Sequence, residues 1–461
     1  MSIKQHPISD IQSLITHFQL PISKIDWEAT ASEAAQLLSR YLQFDTTNPP
    51  GNEAPAIEFL AGVLRERGFT PQIIESAPGR ANLIVRLPAS PQAAAPPCLL
   101  YSHADVVPAE AADWSVPPFG GIIQDGFVWG RGALDNKGSG IIFLQALSLL
   151  KQQAISLSRD IILLVAADEE VAGDYGVAWL LKHHPHLIEA EYVWDEGGIG
   201  RRLPDRNIYY VALAEKVPLT IKLVAQGTPG HASIPSNRNP HHRLIQALTR
   251  VTRWESPVRL TDTVIQLLQA LAPYQPFPQS LLFKYADKSL YWPLLRHWLD
   301  YNPFFLPLIC NSINVTMLQG GQAGNVIPAR SEALLDVRLL PDEEPQAFLA
   351  ALRSIISDSN ISVDVEAMPP GQSPTPADTP FYNALAQTIR TLDPQAQVVP
   401  YLTPGATDSR FFRAAGMKAY GFMPVLVTDR ELSRIHGIDE RISIDNLRRG
   451  IQLVFETLLK L

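Results

Sequence analysis

The chain has 461 residues, 46% of them apolar and 18% charged, with a formal net charge of −8. That length exceeds the size at which a single core stops growing, so two domains are the starting expectation. The acidic balance, with no Lys/Arg cluster, argues against a nucleic-acid partner. Two cysteines, Cys98 and Cys310, cannot build a disulfide framework, and they point to a reducing, cytoplasmic compartment. Residues 1–20 place Lys4, His6, Asp10 and His17 among their apolar positions, which leaves no signal-peptide core. The apolar stretch near Phe304 is too short to span a bilayer, so no membrane association is expected.

In chain order, 52–66 places Ile57, Leu60, Ala61 and Leu64 at helical spacing, with Gly68 as its stop. Short strand-like runs follow at 81–87, 98–101, 161–167, 192–194 and 208–213, alternating with helical stretches at 138–151 and 175–182. Such alternation predicts an α/β fold, a mostly parallel sheet with helices on both faces. The Pro- and Ala-rich run 89–97 is expected to be a surface loop. After Glu215 the order becomes strand 218–225, helix 243–252, strands 312–318 and 332–339, helix 348–356 and an extended run 361–366. That is the order of a small α+β sandwich. The expected division is 1–215 and 371–461 for the large domain, with 216–370 inserted between them. Within the insertion, 256–310 carries Phe283, Tyr285, Tyr291, Trp292, Trp298, Tyr301, Phe304 and Phe305. This segment is most simply extra core or a subunit contact; a lining for an apolar ligand is the sharper alternative.

Chemistry-bearing residues cluster where strands or glycine turns end. His103 precedes Asp105 by two, and in an extended segment the pair shares a face, so Asp105 could orient an imidazole that binds metal. Asp135 stands in Gly130-Arg131-Gly132-Ala133-Leu134-Asp135-Asn136-Lys137-Gly138, where a helix N-cap is the competing role. Glu169 and Glu170 follow an apolar strand; adjacent carboxylates there repel unless a cation, a proton or solvent relieves them. Because neighbours point differently, one can bind metal while the other stays free as a base. Asp195-Glu196, before Gly197-Gly198, repeats the device, and His436 adds a second imidazole. Imidazole and carboxylate donors with a carboxylate to spare suit metal-assisted hydrolysis.

Six blocks then resemble the signatures of the aminoacylase / carboxypeptidase S / acetylornithine deacetylase family. They are Ser102-His103-Ala104-Asp105-Val106-Val107-Pro108, Gly132-Ala133-Leu134-Asp135-Asn136-Lys137-Gly138 and Asp168-Glu169-Glu170-Val171-Ala172-Gly173, followed by Gly230-His231-Ala232-Ser233, Asn325-Val326-Ile327-Pro328 and Thr407-Asp408-Ser409-Arg410. Trp194-Asp195-Glu196-Gly197-Gly198 and Ser433-Arg434-Ile435-His436-Gly437, with the aromatic segment, are most similar to the carboxypeptidase S and N-fatty-acyl-amino-acid hydrolase branch. The resemblance implies a zinc-peptidase sheet with a ferredoxin-like lid and dimerisation domain. It implies two zinc ions per chain, replaceable by cobalt or manganese. Asp135 would bridge them, His103 and Glu196 completing one site and Glu170 and His436 the other. Glu169 would be the general base and Asp105 the support of His103, with a cis peptide at Asp135-Asn136. His231 would reach the partner's site in a homodimer, and Asn325, Arg338 and Gly405 would bind the substrate carboxylate. The implied activity is amide hydrolysis of an N-acyl amino acid or of a peptide's C-terminal residue. A narrower acetylornithine or succinyl-diaminopimelate deacylase, or a catalytically silent binding relative, are the alternatives. From the residues alone, His231 reads as a surface-loop histidine and Arg338 as the partner of Asp336 in an ion pair.

Overall fold

A computed structural model describes residues 25–461, so the 1–20 expectation lies outside the described residues. Its strands in the two principal sheets are β1 (Gln72–Ala77), β2 (Arg80–Leu87), β3 (Ala95–His103), β4 (Arg159–Ala166), β5 (Tyr192–Arg202) and β6 (Asn207–Glu215), then β7 (Val217–Gln226), β8 (Ser312–Gly320), β9 (Arg330–Leu339), β10 (Ile361–Val365), β11 (Ala396–Thr403) and β12 (Lys418–Val427). Eight of them form one sheet in the order β1-β2-β4-β3-β5-β12-β6-β11. The pairs β3–β4, β3–β5, β5–β12 and β6–β11 are parallel, while β1 and β2 add an antiparallel edge. The tail strands β11 and β12 thus return to the sheet begun by β1 to β6.

Both faces of this sheet are covered, and strand alternation decides what lies where. In β3, Cys98 and Leu100 face a core built with helices Trp27–Leu42, Ala54–Glu66, Lys137–Gln152 and Ile444–Leu458. Leu99 and Tyr101 face the opposite core with Val177, Leu180 and Phe412. Near-continuous apolar runs such as 161–167 follow from burial on both sides.

The second sheet is antiparallel, in the order β8-β9-β7-β10. Numbered within the module, that is 2-3-1-4, the βαββαβ order expected of a ferredoxin-like sandwich. Helices Pro240–Thr252 and Pro345–Ile356 bury Leu244, Val251, Phe348 and Leu352 against it. The aromatic segment folds as short helices that leave this small sheet aside. Val264, Leu267, Phe283, Leu295 and Phe305 pack instead on Ile208, Tyr210, Val399 and Leu402, at the β6–β11 edge of the large sheet.

Two expectations shift. β3 starts at Ala95, inside the run 89–97 read as a loop, because Pro96 and Pro97 sit at the strand's entry where missing N–H donors are tolerated. β5 continues to Arg202 rather than ending at Trp194. Gly198 permits this, since a Cβ there would lie 2.1 Å from the Tyr210 carbonyl oxygen and 2.6 Å from that of Gly421. Among the described residues, no helix is long and apolar enough to cross a membrane.

Candidate metal centre

The last residue of β3, the turn before helix Lys137–Gln152, the loop after β4, the middle of β5 and the loop after β12 converge on one point. Asp135 is at its centre. Its Oδ1 lies 3.1 Å from His103 Nε2 and its Oδ2 lies 3.2 Å from His436 Nε2. Glu196 Oε1 lies 3.6 Å from the first imidazole nitrogen and Glu170 Oε2 lies 3.2 Å from the second. One carboxylate therefore presents one oxygen to each of two imidazole–carboxylate pairs. Glu169 joins from the side: ligand atoms of His103, Glu169 and Glu196 lie within 4.8 Å of one another, as do those of His103, Asp135 and Glu170.

Supporting hydrogen bonds fix these groups. His103 Nδ1 donates to the Asp105 backbone carbonyl at 3.0 Å, which leaves Nε2 as the free electron-pair donor. The Asp105 carboxylate, 3.5 Å from that nitrogen, accepts the backbone N–H groups of Glu169 and Glu170 at 3.1 Å each, and the Asn48 amide at 2.9 Å. Asn136 donates to Glu196 Oε2 at 2.7 Å, and the Asp135–Asn136 peptide is cis, as the resemblance implied. Asp195 accepts the Glu196 N–H and the Ser409 hydroxyl at 2.6 Å each. Glu440 is fully buried; it accepts Arg131 Nη1 at 2.7 Å and the N–H groups of Gly132, Leu134 and Asp135 at 3.1, 2.8 and 3.0 Å. It thereby ties the turn bearing Asp135 to the tail segment bearing His436.

The electrostatics call for added positive charge. Burial, then the Asp135 carboxylate, push Glu196 well above the usual carboxylate range; burial and Glu196 do the same to Glu169. Burial raises Glu170 too, with the Asp135 charge adding to it, and its Oε1 is buried without a partner among the described residues. Burial disfavours charge on His103, yet Glu196, Asp105 and Asp135 outweigh it and hold the imidazole well above its ordinary value. Buried acids in this state are relieved by cations. Imidazole and carboxylate donors fit divalent metals such as zinc. His436 and Asp168 adopt left-handed backbone, with φ of 57° and 69°. For non-glycine residues that conformation costs roughly 1–2 kcal/mol, a strain often found at functional sites.

The centre opens into a cavity of about 1130 Å³. One wall is aromatic: the rings of Tyr210 and Phe304 lie 5.8 Å apart, and those of Tyr210 and Tyr401 5.2 Å apart. The small domain contributes Thr220, Asp336 and Arg338, and Gly405 lines another side. Arg338 is clamped to Asp336 through Nε at 2.8 Å and Nη2 at 2.9 Å, so the ion-pair reading also holds in this structure. His231 and Asn325 are exposed and absent from the cavity lining. They sit together on a short ribbon of the small domain, where His231 pairs with Val326 and Ala232 donates to the Asn325 carbonyl. Of the aromatic segment, Phe304 reaches the cavity; Trp298 packs against Phe283 and Phe305, inside the segment's own core.

Asn48, Asn136, Glu440 and Arg410, which also lines the cavity, were not singled out from the sequence. Asn136 and Arg410 stand inside blocks quoted there, and Glu440 follows His436 by four; Asn48 carries no local signal.

The sequence profile described as "Peptidase family M20/M25/M40" matches residues 99–460. The chain is 30% identical over 368 residues to N-fatty-acyl-amino acid synthase/hydrolase PM20D1 of Homo sapiens, covering 78% of this chain and 73% of that protein. It is 28% identical over 423 residues to aminoacylase-1 of Mus musculus, covering 90% of this chain and 92% of that one. Among solved structures, the M20 family metallo-carboxypeptidase Sso-CP2 from Sulfolobus solfataricus superposes with a TM-score of 0.73 at 21% identity, covering 93% and 98% of the two chains.

Proposed function

Since the chain belongs to peptidase family M20/M25/M40 and is a metal-dependent hydrolase of amide bonds, we propose that it cleaves N-acyl amino acids with two zinc ions bound. The observation that carries this reading is the Asp135 carboxylate, shared between His103 and His436. Asp135 would be shared by the two metals, with His103 and Glu196 available to one and Glu170 and His436 to the other; cobalt or manganese would fit the same donors. When bound, the metal pair supplies Lewis acidity toward the amide carbonyl and acidifies water.

The chain's own residues supply the rest. Glu169 takes the proton from the attacking water and returns it to the leaving amine nitrogen, a task suited to a carboxylate that stands beside the ligand atoms of His103 and Glu196 and receives no hydrogen bond among the described residues. Asp105, bonded to the Glu169 and Glu170 amides, keeps base and ligand apart. His231 of the partner subunit donates to the developing oxyanion, which makes the working enzyme a homodimer joined through the small domain, residues 216–370. Ile234, Val326, Met317 and Leu318 on that domain are exposed apolar side chains available to such a contact. Asn325 joins from the partner as well, and Arg338 reaches the substrate carboxylate once it leaves Asp336. Cys98 and Cys310 are both free, which supports a reducing, cytoplasmic setting.

The aromatic wall favours apolar acyl groups over the polar substrates of biosynthetic deacylases. Each methylene buried against Tyr210, Tyr401 and Phe304 contributes about 0.8 kcal/mol, roughly fourfold in affinity. A hydrolysis panel crossing acyl length with amino-acid side chain tests the reading. Efficiency rises from acetyl to longer acyl groups until the wall is covered, and Phe304→Ala removes the gain with little loss on the acetyl substrate. A flat dependence on length refutes the apolar-acyl assignment, and hydrolysis confined to acetylornithine-type substrates would favour the narrower deacylase.

A further inference from the structure

We propose that Arg80 and Asn48 set the position of the Glu169 carboxylate by clamping Asp168, the residue before it. The inference rests on the reading of Glu169 as the base and names the positioning residues that hold that base in place. With no hydrogen bond to its own carboxylate among the described residues, Glu169 is placed through its backbone, whose N–H is bonded to Asp105. That backbone turns sharply away from the sheet. Asp168, two residues beyond the end of β4, takes a left-handed φ of 69°. A residue with a Cβ keeps that conformation where its surroundings impose it. Here Asp168 Oδ1 accepts Asn48 Nδ2 and Arg80 Nη2 at 2.9 Å each, Oδ2 accepts the Tyr175 N–H at 3.2 Å, and the Asp168 carbonyl accepts the Gly173 N–H at 2.6 Å.

Arg80, at the start of β2, is anchored from the other side. Its Nε and Nη2 donate to the two oxygens of the fully buried Glu53 at 2.8 and 2.9 Å, and Nη1 donates to the Pro50 carbonyl at 3.0 Å. One planar guanidinium thus serves two buried carboxylates in fixed directions, a geometry a lysine cannot copy. Gly51, at a φ of 76°, closes over it: a Cβ there would lie 2.3 Å from Arg80 Cζ. Asn48 completes the circuit, because the same amide nitrogen donates to Asp105 Oδ2 at 2.9 Å. Asp105 in turn accepts the Glu169 and Glu170 N–H groups. The base is therefore bracketed: its N–H is held by Asp105, the residue before it by Arg80, and Asn48 ties the two holders together. A buried ion pair is a poor source of net stability, so what this one contributes is direction.

The test is a double-mutant cycle on metal-loaded enzyme with an N-acyl amino acid. Asn48→Ala and Arg80→Gln should each lower kcat about 10- to 100-fold, with KM changed less than about threefold and about two metal ions kept per chain. Either change made in Glu169→Ala protein should cost less than about threefold further, since the group it positions is gone. Arg80→Gln leaves Glu53 and Asp168 without their cation; if that protein does not fold, Arg80→Gln combined with Glu53→Gln takes its place beside Asn48→Ala. An equal fall in both backgrounds marks a merely structural role and overturns the proposal, as does wild-type kcat in the single variants. Amide hydrogen exchange separates a failed clamp from a failed base. Residues 168–173 should exchange about tenfold faster or more in Asn48→Ala protein, with β3 and β4 unchanged. If Glu169→Ala keeps wild-type turnover, the base reading fails; faster exchange then still upholds the clamp on this loop, and unchanged exchange refutes it.

Discussion

Glu169→Ala is expected to lower kcat on an N-acyl amino acid by about 10²- to 10⁴-fold, the range lost with a general base, while the protein keeps about two metal ions per chain. The geometry sets up a real competition here. Glu169 stands within 4.8 Å of His103 and Glu196 ligand atoms, close enough to be a ligand in place of a base. Its backbone N–H is fixed by Asp105, but its carboxylate receives no hydrogen bond among the described residues, in contrast to Glu196, which Asn136 holds. A base must be free to move a proton; a ligand gains from being held. Metal content measured on the purified variant separates the two roles. Loss of metal along with activity makes Glu169 a ligand, and full turnover removes it from the chemistry.

His231→Ala should cost about 10²- to 10³-fold in kcat, the scale of one oxyanion donor, although the residue lies away from its own chain's cavity. Its imidazole is exposed, with Nδ1 2.7 Å from the Ser233 hydroxyl, an arrangement that leaves Nε2 open to a donor role. Co-expressing Glu169→Ala and His231→Ala chains should then recover about a quarter of wild-type activity. Half of randomly paired dimers are mixed, and each mixed dimer holds one site with both residues. No recovery, or full activity in a strictly monomeric protein, contradicts action across subunits.

The sequence was most legible where chemistry is local. His103, Asp135, Glu169, Glu170, Glu196 and His436 stand beside short strands or glycine turns, and a parallel sheet gathers such positions along one edge. The small domain's βαββαβ order could likewise be read from the switch in period after Glu215. The supports were less legible because their partners are far apart in the chain. Glu440 meets the Asp135 N–H across 305 residues, and Asn48 meets Asp105 across 57. No periodicity encodes such pairings. The aromatic segment showed its hydrophobic mass without its direction: Trp298 turned into its own core and Phe304 toward the cavity, a choice made by packing on Tyr210 and Tyr401.

Amide hydrolysis by this chain should depend on a metal pair held around Asp135. Protein stripped with a chelator and titrated with zinc, while hydrolysis of an N-acyl amino acid is followed, tests it most directly. The expected course is no turnover in the stripped protein and full activity at about two equivalents, with Asp135→Ala unable to recover at any metal concentration. Full turnover by the stripped protein, or none of any N-acyl amino acid or peptide with two equivalents bound, would contradict it.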